Sequence, residues 1–470
     1  GKPSIKGFAS LKQKFLQAIR QKFPPQYPVP PAIDLAKQSI FEALADYYPQ
    51  TVHFFQKIPN GEYDLNRVYW WEKRWRESVK NPQKPKQVIF ESRGDRSISP
   101  TENENIYDLI YIGGALGVIH AAVMAQKGYQ VLVVERLPFG RMNREWNISR
   151  DEFQSLINLG LFTPEEFEYV IAREYIDGFN KFFDANNPAH LKAPVLHTPK
   201  VLNVAIDTSK LLALCGEKLT QAGGEIWDET EFIRAEILTS EVIVELVNLK
   251  TKTTKQAQGR LLMDAMGTAS PIAWQLNGQH TFDSVCPTVG AVVKKGFAPA
   301  VWDSQYGDVL NSHGDISRGR QLIWELFPGA GEELTIYLFH YHQVHPDNPG
   351  SLLEMYEDFF TILPEYRRCE MDSLQWGKAT FGYIPGHFST SDRDRTVAFD
   401  RLLAIGDAAS LQSPLIFTGF GSLVRNLERL TTLLDTALKH DLLTQEDLNQ
   451  IRAYQSNISV TWLFSRGMMV

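Results

Sequence analysis

Between Tyr107 and Glu135 the sequence reads YDLIYIGGALGVIHAAVMAQKGYQVLVVE, and this stretch limits the fold more than any other. Leu109 to Ile112 is an apolar run short enough to be a buried parallel strand. Gly113, Gly114 and Gly117 follow it. Val118, Ala121, Ala122 and Ala125 then keep helical spacing on small side chains, and Lys127-Gly128 stops the helix. A second buried strand, Val131 to Val134, ends on Glu135. The pattern is one βαβ unit with a glycine turn opening its helix and an acid closing its second strand. Such a turn lets a pyrophosphate approach backbone N–H groups at the helix N-terminus, and the acid can bind ribose hydroxyls. A strict G-x-G-x-x-G has three glycines in register; here Gly114 and Gly117 take the last two places and Ile112 stands at the first.

Two later stretches extend this reading. Leu261-Leu-Met-Asp264 is a buried strand running into the small-residue turn Asp264-Ala-x-Gly267-x-x-Ser270. That pattern closes the dinucleotide domain in many flavoproteins by bringing backbone close to the cofactor. Arg401 to Leu430 places a strand, Leu402 to Ile405, before Gly406-Asp407-Ala-Ala409, then Pro414, Gly419-x-Gly421 and a helix with Leu423, Leu427 and Leu430 on one face. Asp407 there can bind the flavin ribityl hydroxyls or serve simply as a helix cap. The helix opening near Gly421 can aim its positive end at the pyrimidine side of the flavin. After Glu135, Arg136 and the dense run Arg141, Arg144, Glu145, Trp146 and Arg150 fall where a flavoprotein chain covers the adenosine half or the flavin edge; an ordinary salt-bridged loop is the alternative.

Composition narrows the classes further. A net charge of -7 argues against nucleic acid as a principal partner. The 3 cysteines have no metal spacing and an odd count, which suits a reducing compartment. No apolar run approaches the ~20 residues of a membrane span. With 10 tryptophans and 27 phenylalanines, wide aromatic surfaces for a large apolar ligand are expected.

Residues 1–104 read as a helical extension and linker. Leu11 to Phe23 has the pattern of a basic amphipathic helix, Ala32 to Tyr48 that of a second, and Arg67 to Val79 that of a third carrying Trp70, Trp71 and Trp75. The third helix either docks its tryptophans on the main body or lays them in a membrane interface. Asp151 to Gly160 and Pro164 to Phe182 read as helices, Val201 to Ile206 as a strand, and Ser209 to Ala222 as a helix capped by Asp207. From Val285 onward the pattern turns mixed and aromatic. Thr288 to Lys294, Gln321 to Phe327 and Thr335 to His342 suit an antiparallel sheet, with a helix around Leu352 to Phe360. Glu325 alternates with Ile323 and Phe327 on one strand face, where a carboxyl is costly to bury unless paired or protonated. Ile336, Leu338, His340 and His342 share a face of the next strand. Glu325, His340 and His342 are therefore expected together in the wall of a long apolar cavity.

The glycine turn with Glu135, the Asp264 turn and the Gly406–Gly421 segment together resemble the single-FAD-domain flavoproteins of the aromatic-hydroxylase and isoprenoid-reductase type. Within that group, NREWNISRDEFQ (143–154), WELFPG (324–329) and GDAASLQSPLIFTGFGSLVRNLERL (406–430) resemble the CruA/CruP type of lycopene cyclase from oxygenic phototrophs. The resemblance spans roughly Tyr107 to Phe464. It implies an α/β chain with a FAD-binding Rossmann-like domain of the GR2 type in two pieces (105–284 and 398–440). An antiparallel-sheet substrate domain (285–397) is interleaved, with a helical N-terminal extension and a C-terminal helical segment (441–470). Relatives run past Trp462-Leu-Phe464, so the end at Val470 reads as truncated.

The implied cofactor is FAD, active when reduced, held by Gly113, Gly114, Gly117, Glu135, Arg136, Arg144, Asp264, Gly267, Gly406, Asp407, Pro414, Gly419 and Gly421; chlorophyll is a further ligand by family resemblance. The implied reaction is a redox-neutral, acid-catalysed cyclisation of lycopene or another linear carotenoid, at a peripheral site on the cytoplasmic face of a thylakoid or other photosynthetic membrane. Better-known lycopene cyclases carry an FLEET-type strand with a proposed acidic glutamate, whereas the comparable strand here, Ile336 to His342, has none. Glu325 is the expected acid, with His340 and His342 as second choices. Trp324-Glu-Leu-Phe-Pro328 is also similar to the strand with which geranylgeranyl reductases grip prenyl chains, which would make the flavin a hydride donor. A pigment-binding flavoprotein without turnover is a third reading. Nothing in the sequence fixes an oligomeric state.

Overall fold

The structure is a computed structural model that describes residues 11, 14, 15, 18, 22, 32–92, 106–142, 146–182, 188–278, 284–299, 301–312, 320–346, 350–386, 395–409 and 419–451. The expected basic helix from Leu11 to Phe23 lies largely outside these residues, as do Arg144 and Pro414.

Two large sheets organise the chain. The first is 9-stranded and runs Ile89–Glu91, Thr230–Ile237, Val242–Asn248, Thr254–Asp264, Ile106–Ile112, Val131–Val134, Glu225–Trp227, with Leu402–Ala404 also paired to Thr254–Asp264. Its inner part is parallel: Ile112 pairs with Val134 on one side and Asp264 on the other, and Asp264 in turn with Ala404. Strands Ile106–Ile112 and Val131–Val134 are apolar on both faces because both are covered: one packs on the Leu116–Gln126 helix and its helical neighbours, the other on Ala235, Val242, Val244 and Leu246 from the adjoining antiparallel strands. The Leu116–Gln126 helix is buried almost all round, which its small side chains permit. The second sheet has 8 strands in the order His342–Gln343, Ser284–Lys295, Leu334–Phe339, Ile323–Pro328, Tyr306–Ser312, Asp177–Phe182, Leu196–His197, with Gln375–Gly386 paired to the other edge of Ser284–Lys295. A 3-stranded sheet, Trp146–Ile148, Val204–Ile206 and Ile171–Glu174, lies between them in sequence.

The chain crosses between the large sheets more often than the expected boundaries allow. Ile89–Glu91 sits in the N-terminal portion read as an extension, yet it pairs with Ala235–Ile237 in the first sheet. Asp177–Phe182 and Leu196–His197, numbered with the first domain, belong to the second sheet. The segment read as helical from Pro164 to Phe182 is helical only to Val170, after which cross-strand partners at Val204–Ile206 and Tyr306–Ser312 draw it into strands. Ala32 to Tyr48 is likewise not one helix; a short turn at Ile40–Leu44 is capped by Ser39 and Glu42, and Pro49 opens a new helix to Phe55.

The N-terminal helices cover one face of the second sheet. Gly61–Lys80 lays Trp71 over Gly382 and Phe381 and stacks Trp75 on Tyr383 at 4.7 Å. Each such ring pair adds ~1 kcal/mol to its area burial. Of the three tryptophans only Trp70 is exposed. Glu357, from the Leu352–Arg367 helix, accepts from the N–H groups of Gln50 and Thr51 and so caps the Pro49–Phe55 helix across the chain. Among the described residues no helix is long and apolar enough to cross a membrane.

Candidate functional site

The parallel strands of the first sheet end in register, and their C-terminal turns converge. Gly113 N–H donates to the Val134 carbonyl at 2.8 Å and Ala265 N–H to the Ile112 carbonyl at 2.8 Å, while Ile405 N–H reaches the Asp264 carbonyl at 2.9 Å. The three glycine-bearing segments that are hundreds of residues apart thus meet at the carboxyl edge of one sheet, the position where open α/β sheets bind ligands. Gly113 has φ +109°, and a Cβ there would run into the Ala265 carbonyl. A Cβ on Gly117 would stand 3.0 Å from that of Ala265. The turn is therefore as close to its neighbours as backbone can be. The Leu116–Gln126 helix has no side-chain cap, since Ala115 stands at its N-cap, leaving its first N–H groups for another partner.

Glu135 sits against this turn. One carboxylate oxygen accepts from Gly114 N–H at 2.7 Å and the other from Leu137 N–H at 2.8 Å. Two backbone bonds hold the carboxylate at the rim of the turn. Gly406, at φ +58°, opens the Gly406–Ala409 turn that carries a half-buried Asp407, and this turn packs against Gly267–Ala269. Gly267 has φ +70° with open space around it. The Gly419–Lys439 helix starts beside the same region, and a Cβ on Gly421 would stand 3.3 Å from a Glu152 carboxylate oxygen that also pairs with Arg425 at 2.9 Å. Trp146 stacks on Phe420 at 4.9 Å, next to that helix start.

Two expected ligand residues have other partners. Arg136 is largely exposed and pairs with Glu231 at 2.9 Å on the surface. Asp264 is fully buried; its carboxylate accepts from Met266 N–H at 3.1 Å and from the Ser270 hydroxyl. Burial pushes its pKa up to about 6 against those two bonds. Asp264 clasps the turn that presses on Gly113, and so shapes the cleft from behind.

In the second sheet, Glu325 is buried on the face turned away from the helices. Ile323 and Phe327 share that face by alternation, and Glu325 pairs across to Tyr337. Trp324 and Leu326 point the other way, into the core made with Phe55, Phe359 and Phe360. Ile323 instead packs with Cys286, Phe339 and Tyr341. One Glu325 carboxyl oxygen has no hydrogen-bond partner among the described residues. Burial raises its pKa well above the usual carboxylate range, which favours the protonated carboxyl. Ionising it would in turn raise the pKa values of Tyr175, Cys286 and Tyr341, and the Tyr341 hydroxyl bonds to the Cys286 thiol. The sequence analysis singled out none of these three. The alternation Ile323-x-Glu325-x-Phe327 could have pointed to a facing wall, but their positions on other strands carry no such signal.

The histidines lie on the opposite face, which corrects the expectation of one shared cavity wall. Leu338 pairs with Trp324, and His342 with Val285, both in the helix-covered core. Register across the sheet separates Glu325 from His340 and His342. The two imidazoles, 5.3 Å apart, are buried beside Arg320 and Arg76, in a layer that also holds Glu72, Glu354 and Asp358. Neither ring nitrogen of His340 has a hydrogen-bond partner among the described residues. Desolvation first, then the neighbouring cations, keep both imidazoles neutral, with His342 pushed down to about 4.

A histidine whose pKa is lowered by folding costs no stability above its unfolded pKa near 6.5, and a growing amount as pH falls below it, because the unfolded chain takes the proton first. Thermal stability is expected to fall between pH 6.5 and 4, by on the order of 3 kcal/mol from His342. Scanning calorimetry of a His340→Phe/His342→Phe chain should show a flatter acid limb; an unchanged limb would assign the loss to other groups.

No protein-family model matches this chain, and no curated protein matches its sequence. Its fold does match solved structures. A geranylgeranyl bacteriochlorophyll reductase-like protein from Thermoplasma acidophilum superposes with TM-score 0.56 at 13% identity, over 78% of this chain and 88% of that one. The myxobacterial chondrochloren halogenase CndH, a FAD-dependent halogenase, gives 0.55 at 15% identity, over 78% and 83%. Halogenase PltM in complex with phloroglucinol and FAD gives 0.54 at 16% identity, over 76% and 74%. At these identities the likeness is one of fold: a mixed α/β chain with a parallel Rossmann-like core and an interleaved second sheet.

Proposed function

We propose that this chain binds FAD and catalyses the redox-neutral cyclisation of the ψ-ends of lycopene, or a similar linear polyene, to β-rings. The observation that carries the reading is Glu325, a buried carboxyl with an oxygen that has no partner among the described residues, on the face of the second sheet opposite the Leu352–Arg367 helix. The cradle suits FAD. Gly113, Gly114 and Gly117 admit no side chain without collision or close crowding, the helix behind them is uncapped, and Glu135 stands where ribose hydroxyls would reach its carboxylate. Asp407 and the Gly419–Lys439 helix start are the groups assigned to the ribityl chain and the flavin ring. Reduced FAD, held by these residues, would supply a negative charge able to stabilise a cation without net electron transfer.

The chain's own residues do the rest. Glu325 gives its proton to the terminal double bond, leaving a tertiary carbocation and a carboxylate. The neighbouring alkene closes a six-membered ring onto that cation, and loss of a ring proton restores neutrality. Ile323, Phe327, Phe339 and Tyr337 exclude the water that would trap the cation. Membrane residence of such a substrate supports a peripheral site on the cytoplasmic face of a photosynthetic membrane.

Anaerobic incubation of flavin-reduced protein with lycopene tests the reading. The product should keep its substrate's mass, gain one deuterium per ring in deuterated water, and consume no reductant. One reductant equivalent spent per product, with two hydrogens added, would assign a reductase instead. That second reading is favoured by the Trp324–Pro328 strand and by the reductase-like structural neighbour.

Asp407→Ala is expected to lower flavin occupancy of the purified chain at least ten-fold while circular dichroism stays unchanged. Full occupancy measured by absorbance would remove Asp407 from the ribityl role.

A further inference from the structure

The segment from Pro188 to Leu202, PAHLKAPVLHTPKVL, contains no acid in a chain of net charge -7. It holds Lys192, Lys200, His190 and His197, and its aliphatic side chains point outward: Leu191, Val195, Leu196 and Val201 are 45–62% exposed. Leu196–His197 is the outermost strand of the second sheet. The neighbouring surface continues the pattern. Asp177 binds His197 at 2.7 Å and the Thr198 N–H at 3.1 Å, which fixes the segment against Ile176. Ile176 is 58% exposed, and Tyr306, paired with Asp177, is 40% exposed. Trp302 donates its indole N–H to the Tyr306 carbonyl at 3.4 Å. The nearby acids are Asp303, exposed beside Trp302, Glu174, paired with Arg150, and Asp177, paired with His197.

Exposed aliphatics with an aromatic pair and lysines, and few uncompensated carboxylates, match the boundary between acyl chains and anionic headgroups. We infer that the 188–202 edge, with Ile176, Trp302 and Tyr306, seats this protein on an anionic lipid bilayer. The partner is a lipid surface because the exposed aliphatics line a strand edge, with Lys192 and Lys200 scattered among them instead of grouped against one acidic site. The proposal deepens the polyene reading and rests on it for its purpose: this edge is three strands from Glu325, ~14 Å along the sheet at the usual strand spacing. It replaces the Trp70/Trp71/Trp75 helix as the membrane contact, since Trp71 and Trp75 are spent on the sheet.

Co-sedimentation of the full flavin-loaded chain with phosphatidylcholine vesicles, with and without 30 mol% phosphatidylglycerol as a working choice (~30 %, within the anionic range of biological leaflets), tests it. Binding should require the anionic lipid, weaken with salt, and fall at least ~30-fold in Lys192→Glu/Lys200→Glu, since each lysine near such a surface contributes about fivefold. Leu191→Ser/Leu196→Ser should weaken it comparably at unchanged salt dependence. All four positions are exposed, so folding and flavin content should not change. A wild-type chain that stays in the supernatant at every composition overturns the proposal, as does binding that survives both double variants or that Trp70→Ser abolishes. Turnover of detergent-delivered lycopene is read in parallel. Vesicle binding without cyclisation defeats the function and leaves the surface standing; cyclisation without vesicle binding does the reverse.

Discussion

Glu325→Gln is expected to retain flavin and polyene binding while ring closure falls by ~10²–10⁴-fold, the range that removal of a positioned general acid produces. Glutamine keeps the shape and a polar end but has no acidic proton. Burial favours the protonated carboxyl because its surroundings on that face are Ile323, Phe327, Phe339 and aromatic hydroxyls, and no arginine pairs with it among the described residues. A raised pKa keeps the proton in place but makes Glu325 a weaker donor, so the forming cation must be stabilised by its surroundings, and burial spares it the competition of solvent. His340→Phe and His342→Phe give the contrast. They lie across the sheet, on the helical side, so turnover at neutral pH should change little in either. If a histidine variant were inactive and Glu325→Gln near normal, the proton would have to come from the other face, and the assignment would be wrong.

Gly113→Ala should empty the cofactor cradle and destabilise the chain by ~3 kcal/mol or more. At φ +109° an L-residue carries local strain of ~1–3 kcal/mol, and its methyl would meet the Ala265 carbonyl, which is itself pinned by the Ile112 carbonyl through Ala265 N–H. Either the turn opens or the Asp264 clasp shifts, and both move the N–H groups at the start of the Leu116–Gln126 helix. Flavin absorbance of the purified variant and its thermal midpoint read the two effects. Gly140→Ala is the control. It shares a positive φ, +81°, but has nothing within 4 Å of its Cβ, so it should cost about 1 kcal/mol and keep its flavin.

The difference between those two glycines shows where sequence reading succeeds and stops. The turn at Gly113 was legible because an apolar strand, small-residue helix and acid surround it in consecutive order. That Ala265 is what crowds it follows only from strand register between Ile112 and Asp264. Alternation likewise assigned Glu325 to the face of Ile323 and Phe327, and grouped His340 and His342 with Ile336 and Leu338. Each strand's own pattern was read correctly. Which face of one strand adjoins which face of the next is set by pairing, Glu325 with Tyr337 and Trp324 with Leu338, and no single strand encodes it. The same limit explains the stretch after Val170, where Ile171-Ala-Arg-Glu174 gains partners from Val204–Ile206 and a helical pattern yields to them. Trp71 and Trp75 share a helix face in sequence, but only the presence of Phe381, Gly382 and Tyr383 opposite decides that they dock on protein.

The second sheet draws its strands from widely separated parts of the chain: Leu196–His197 and then Asp177–Phe182 at one side, Gln375–Gly386 at the other with Ser284–Lys295 next to it. During synthesis Ser284–Lys295 must wait about ninety residues for its last partner, and the helices of residues 40–80 wait longer still for Leu352–Arg367. Until then Trp71, Trp75 and the Pro49–Phe55 helix have no protein surface to cover. Neither half can be severed and kept as a working unit, because each lends strands to the other's surroundings. A nascent chain of this topology leaves aromatic helices uncovered early, and the late closing of long-range strand pairs is its expected slow step.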